Sequence, residues 1–296
     1  MRITNFGSCN IDKVYAVPWF VKPGETLPCS EFEIYPGGKG LNQSLALAYA
    51  GADVRHAGKI GQDGIFMRQL LAEAGVDVTH LSVSNEPSGH ALIQVTPQGD
   101  NAIVIFGGAN QSIGAHDIYE VLCDTRPGEF LLLQNEISCL PELINAAHEK
   151  QQRIIFNAAP VTDEVNNYPL DKIEVFIINE IEAENLTGET EPDSILDRMA
   201  VTFPDSRTIL TLGGKGAVYG DSSQRVSQHA FDVRAVDTTA AGDTFTGYFL
   251  AGFIAGQAIE DCLAMACRAA ALCVTKPGAA SSIPRRPELN QDLVRR

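Results

Sequence analysis

The feature that most constrains this chain is the alternation of short apolar runs with longer helix-like stretches. Runs at residues 54–60, 130–133, 154–156, 175–178 and 209–212 are bounded by polar residues or glycine, as expected of strands buried on both faces. Between them, residues 38–50, 65–74, 141–149 and 180–186 read as helices. Strand and helix in turn predict an α/β fold, a parallel sheet with helices on both sides. A length of 296 residues fits one large unit of this kind with a small elaboration. No internal repeat, low-complexity tract or long linker marks a second full domain.

Two segments break the rhythm, at about 12–35 and 89–106. In the second, apolar residues 91–95 and 102–106 flank the turn Thr96-Pro97-Gln98-Gly99-Asp100-Asn101, which reads as a hairpin. Strands inserted into an α/β unit are expected to form a small lid over a ligand site or a dimer surface.

The charge balance, 22 basic against 37 acidic side chains for a net of −15, argues against nucleic-acid and anionic-membrane partners. It leaves nucleotide binding open, because phosphates are held by backbone N–H groups, helix N-termini and Mg²⁺. The seven cysteines are scattered without C-x-x-C or zinc spacing, and the six histidines show no metal or triad pattern. The chain opens in a strand-like stretch, residues 2–6, with no leader pattern, and no apolar run approaches the ~20 residues of a membrane span. A cytoplasmic enzyme is expected.

Four constellations carry chemistry. The first is Asp237-Thr238-Thr239-Ala240-Ala241-Gly242-Asp243-Thr244-Phe245, small residues turning onto an apolar helix. Its free N–H groups and dipole suit a transferring phosphoryl group. Asp243 beside them is either the helix cap or the acceptor of a hydroxyl proton. The second is Pro36-Gly37-Gly38-Lys39-Gly40-Leu41-Asn42-Gln43, a glycine turn entering a helix, with Lys39 and Asn42 able to reach one ligand or simply to be solvated. It lacks the Walker A spacing.

The third constellation, Asn10 and Asp12 after the first strand, suits a polyol or an Asx turn. The fourth pairs the acidic helix start at Asn179, Glu180 and Glu182 with the turn Thr211-Leu212-Gly213-Gly214-Lys215-Gly216. Carboxylates there could hold Mg²⁺ through water, or merely favour a first helical turn, while the glycine turn offers donors to nucleotide phosphates.

In this order the motifs resemble the ribokinase branch of the PfkB carbohydrate kinase family, nearly end to end from Phe6 to Ile283. The resemblance implies a ribokinase-like three-layer α/β/α domain spanning 1–296, with lid strands inserted at about 12–35 and 89–106. It implies ATP-dependent phosphorylation of a sugar hydroxyl, ribose first, with another acceptor (deoxyribose, fructose, pseudouridine or another nucleoside) as the alternative. A non-catalytic sugar-binding protein is a further alternative. Asp243 would be the base, and Asn10, Asp12, Gly38, Lys39, Asn42 and Glu136 would hold the sugar. Asn179, Thr211, Gly213, Gly214, Gly216, Ala241, Gly242 and Cys267 would serve ATP. Glu182 would support Mg²⁺ through water, and Asp237, Thr239, Cys273, Lys276, Gly278 and Ser282 would ring an activating K⁺. A homodimer through the lid is expected. The sequence departs from the family pattern at Pro36, Asn135, Ala158, Cys267 and the Lys276-Pro277-Gly278 run, the first two beside the sugar set.

Overall fold

A computed structural model describes residues 1–290. The elements in chain order are β1 (Ile3–Phe6), β2 (Asn10–Ala16), β3 (Glu31–Gly37), α1 (Lys39–Ala50), β4 (Val54–Ile60), α2 (Ile65–Glu73) and β5 (Leu81–Val83). There follow β6 (Gly89–Val95), β7 (Asn101–Phe106), α3 (Ala115–Cys123), β8 (Phe130–Gln134), α4 (Leu140–Glu149) and β9 (Arg153–Asn157). The chain continues through β10 (Val175–Asn179), α5 (Glu180–Thr187), α6 (Pro192–Thr202), β11 (Arg207–Thr211), β12 (Ala217–Gly220), β13 (Arg225–Gln228), α7 (Ala241–Ile254) and α8 (Ile259–Cys273).

Nine strands form one sheet in the order β13-β12-β11-β10-β9-β8-β1-β4-β5. It is parallel from β5 to β11, and β12 and β13 add an antiparallel edge. Period-two alternation sends successive apolar residues to opposite faces. Phe130, Leu132, Ile155, Val175 and Ile177 pack under α1, α2, α7 and α8, whereas Leu131, Leu133, Ile154, Phe156 and Ile178 pack under α3, α4, α5 and α6. Both faces are therefore apolar, which explains the unbroken runs in the sequence. Each large side chain buried this way contributes about 1.5–3 kcal/mol.

Helix α7 lies between α1 and α8, so it is buried nearly all round rather than along one stripe. Gly247 permits the close approach, since a Cβ there would stand 2.4 Å from that of Ala46. The result brings the N-termini of α1 and α7 together.

The interrupting segments form a separate sheet, β3-β2-β6-β7. The hairpin read at 91–95 and 102–106 is β6 and β7, each a residue or two longer, whereas within 12–35 the residues between β2 and β3 form a loop. Asn10 and Asp12, read from sequence as lying at the end of β1, belong instead to β2, the first lid strand. Among the described residues no helix is long and apolar enough to cross a membrane.

Candidate active site

Helix α7 starts at a tight turn. Asp237 Oδ1 accepts from the backbone N–H and the hydroxyl of Thr239 at 2.9 and 2.6 Å, and Ala240, in the left-handed region at φ 60°, is the N-cap without a side-chain cap bond. Asp243 is thus not the cap. Its carboxylate, 8% exposed, turns to the first turn of α1, where Asn42 Nδ2 donates to Oδ2 at 3.0 Å and Gln43 Nε2 to Oδ1 at 2.9 Å.

The turn leaves donors free beside that carboxylate. Ala241 N–H donates to Thr238 O at 3.2 Å and Thr244 N–H to Ala240 O at 2.8 Å. The N–H groups of Gly242 and Asp243 have no acceptor among the described residues, and a helix of fourteen residues stands behind them. A helix start with open N–H groups favours an anion.

The lid side of the site gathers Asn10, Asp12, Gly38, Lys39 and Glu136. Glu136 Oε2 accepts from Ser8 Oγ and from Lys39 N–H at 2.9 Å. Asn110 Nδ2 donates to Asn10 Oδ1 at 2.8 Å, so the Asn10 oxygen is engaged within the protein. Only glycine fits at position 89, where a Cβ would lie 2.1 Å from Asn110 Nδ2 and 2.3 Å from Asn10 Oδ1. Asn42 is oriented the other way: its N–H₂ is given to Asp243 and its buried Oδ1 has no partner among the described residues.

Charge is concentrated here. Burial, then the charge of Glu136, pushes the Asp12 carboxyl up to about 7. Burial also raises Glu136, against the pull of Lys39 and Ser8. Burial works to lower the Lys39 ammonium, but Asp243, Glu136 and Glu182 outweigh it and the pKa is raised. One cation is shared by three carboxylates, an arrangement that favours a ligand rich in hydroxyl donors.

On the opposite side a cleft of about 200 Å³ is lined by Lys39, Asn179, Glu182, Thr211, Gly242 and Asp243, among others. Asn179 and Glu182 form a capping box, Asn179 Oδ1 accepting from Glu182 N–H at 2.9 Å and Glu182 Oε2 from Asn179 N–H at 2.9 Å. Burial raises the Glu182 carboxyl above its ordinary value. Past Thr211, the exposed turn of Gly213 and Gly214 closes through Gly216 N–H to Gly213 O at 3.1 Å.

The residues expected around a monovalent ion also meet. Asp237 Oδ2 accepts from Gly278 N–H at 2.9 Å, Cys273 Sγ lies 3.0 Å from Ser282 Oγ, and Cys273 Sγ reaches Thr239 O at 3.7 Å. Lys276 turns away to Glu288 at 2.7 Å, so only its backbone faces these loops. Cys267 lies in the packed core of α8, where burial pushes its thiol up to about 11, and it does not line the cleft.

Several polar residues at the site were not singled out from sequence: Ser8, Asn110, Gln134 and Asn157, with Gln43 noted only as part of its motif. Of the departures from the family pattern, Asn135 is tied outward to Pro160 O at 2.7 Å and to Tyr168 Oη at 3.0 Å. It braces a loop rather than reaching the cluster.

The pfkB family carbohydrate kinase model matches residues 2–286. The chain is 37% identical over 298 residues to a ribokinase of Haemophilus influenzae, covering 97% of this chain and 96% of that protein. It is 32% identical to a deoxyribokinase of Salmonella typhi, covering 99% of each. Among solved structures, Arabidopsis thaliana ribokinase complexed with ribose and ATP superposes with a TM-score of 0.83 at 30% identity, over 97% of this chain and 96% of that one.

Proposed function

The chain belongs to the pfkB family of carbohydrate kinases, and on that premise we propose that its natural reaction is the phosphorylation of D-ribose by ATP. The protein is an ATP-dependent sugar kinase of the ribokinase type, a phosphotransferase acting on a sugar hydroxyl. The observation that carries the residue assignment is the Asp243 carboxylate, held by Asn42 and Gln43 beside the open N–H groups that start α7.

In this reading Asp243 accepts the proton of the attacking hydroxyl as its oxygen closes on the γ-phosphorus. The N–H groups of Gly242 and Asp243 and the α7 dipole receive the charge on the transferring group; Ala241 supplies the turn, since its N–H is taken. Asn10 donates to a sugar oxygen, Asn42 Oδ1 accepts from a hydroxyl, and Asp12, Lys39 and Glu136 complete the grip against the backbone of Gly38. The nucleotide lies along Asn179, Thr211, Gly213, Gly214 and Gly216.

Glu182, a carboxylate at the cleft whose oxygens are shared with Asn179, fits a Mg²⁺ held mainly by phosphate and water. The ion would neutralise phosphate charge. The loops of Asp237, Thr239, Cys273, Lys276, Gly278 and Ser282 would take K⁺. The lid carries exposed Phe32, Ile34, Ile103, Val104 and Ile105, which supports a homodimer through that sheet. Seven unbridged thiols suit a reducing cytoplasm.

The test is ADP release across a panel of ribose, deoxyribose, fructose and nucleosides. Ribose should exceed the others in kcat/KM by about tenfold or more, the worth of one hydroxyl hydrogen bond. The deoxyribokinase relative makes deoxyribose the second reading, and a tenfold preference for it would replace ribose. ADP release with no member of the panel would overturn both.

A further inference from the structure

Gln43 has no solvent exposure, and it is one of two side chains among the described residues bonded to Asp243. Its amide is fully committed. Nε2 donates to Asp243 Oδ1 and to Asn157 Oδ1, each at 2.9 Å, and Oε1 accepts from Gln134 Nε2 at 2.8 Å. Gln134, buried at the end of β8, gives its other N–H to Asn5 Oδ1 at 2.9 Å. Asn5 returns to α1, donating to Gly40 O at 2.8 Å and to Ser44 Oγ at 2.9 Å.

These bonds close a ring from α1 through β8 and β1 back to α1, and every amide in it has its direction fixed by the next. Turning Gln43 would strand two buried acceptors, Asp243 Oδ1 and Asn157 Oδ1, and one buried donor, Gln134 Nε2, which low-dielectric surroundings make costly. Asn42 makes a single bond of this kind, its Oδ1 being unpartnered among the described residues, as is Gln134 Oε1 within the ring.

We propose that Gln43, anchored by Gln134, is a positioning residue: holding Asp243 Oδ1 while Asn42 holds Oδ2, it fixes the plane of the carboxylate that takes the substrate proton. The inference rests on the reading of Asp243 as the base. In the step, the hydroxyl O–H bond breaks and its proton passes to the Asp243 carboxylate. The hydroxyl oxygen bonds to the γ-phosphorus, and ADP departs with the bridging electron pair. A fixed donor on Oδ1 holds the carboxylate plane in line with the attacking oxygen. The other titratable groups facing Asp243 are Lys39 at the start of α1, Glu136 after β8, Glu182 on α5 and Cys273 on α8. None is altered by a change at Gln43.

The experiment compares wild type, Asp243→Asn, Gln43→Leu, Gln43→Glu and Gln134→Met in kcat, sugar KM, the acid limb of the pH–rate profile and thermal melting. Gln43→Leu should lower kcat about 30-fold with sugar KM within about threefold, the loss of a hydrogen bond to a charged group. Its acid limb should move to higher pH. Gln43→Glu, isosteric and able to keep the bond from Gln134, sets a second carboxylate against Asp243 and should move that limb up by more than a unit. Gln134→Met should give a weaker version of Gln43→Leu. If Gln43→Leu does not fold, Gln43→Glu carries the test. Wild-type kcat and pH profile in Gln43→Glu, or a rise in KM alone, overturns the role of Gln43 while Asp243→Asn remains dead. Turnover retained by Asp243→Asn overturns the base assignment itself.

Discussion

Asn42 gives its N–H₂ to Asp243 Oδ2 at 3.0 Å and keeps its own Oδ1 buried and unpartnered among the described residues. One side chain therefore steadies the carboxylate with its donor end and, on the proposed reading, would turn its acceptor end to the sugar. On that reading ligand and base would be joined through a single amide.

Asn42→Asp should damage both functions. It replaces the donor with a like charge and should lower kcat/KM for the sugar by about 10–100-fold, with the acid limb of the pH profile displaced upward. Steady-state kinetics from pH 5 to 9 would decide, and a change confined to ATP KM would contradict this.

Asp243→Asn should cut kcat by about 10²–10⁴ while sugar affinity, measured calorimetrically, stays within a few-fold. The carboxamide keeps the shape and loses the basicity. Equal losses in affinity and turnover would point to a binding rather than a proton-accepting role.

Asp12 should make sugar binding pH-dependent. Its carboxyl, raised to about 7 by burial and by Glu136, must ionise to accept from sugar hydroxyls, so sugar KM should fall as pH rises through 7. Stability runs in the opposite sense: between the unfolded value near 4 and the raised folded value the native state binds more protons, and the sugar-free protein loses stability as pH rises. Asp12→Asn should therefore melt about 2 °C or more above wild type at pH 8 while binding sugar worse. A lower melting temperature would show that the charge is compensated.

Ile105→Glu on β7, where Ile105 is 65% exposed, should convert a dimer to a monomer in light scattering, because a charge at an apolar contact must be desolvated. An unchanged mass would remove the lid face as the interface.

Potassium should raise kcat over tetramethylammonium salts at equal ionic strength, and equal rates would remove the cation from the loops around Asp237 and Ser282.

The layers of the fold were legible because buried parallel strands leave unbroken apolar runs, and the ends of α1, α2, α4 and α5 fall within a residue or two of the expected helices. The antiparallel edge of β12 and β13 was not anticipated, since those four-residue strands carry no long apolar run. At the site, the two glycine-bearing signatures singled out Asp243, Asn42 and Lys39, which the fold brings together. Gln134 and Asn157 were missed for a physical reason. Each ends a strand beside its apolar run, and what makes it polar machinery is a bond to Gln43, 91 and 114 positions away, a distance at which no local period operates. The direction of each amide was equally invisible, because it is set by partners from other strands.

The lid leaves the large sheet at Asn10, and Asn10 is in register with Gly37 on one side and Gly89 on the other. The roots of the lid are thus the proposed sugar contacts or their direct neighbours. A tilt of the small sheet would swing Asn10 and Asp12 with it, like the jaws of pliers worked by their handles. Changes made to the handles, far from the sugar, would then alter how firmly the jaws grip and how fast they let go.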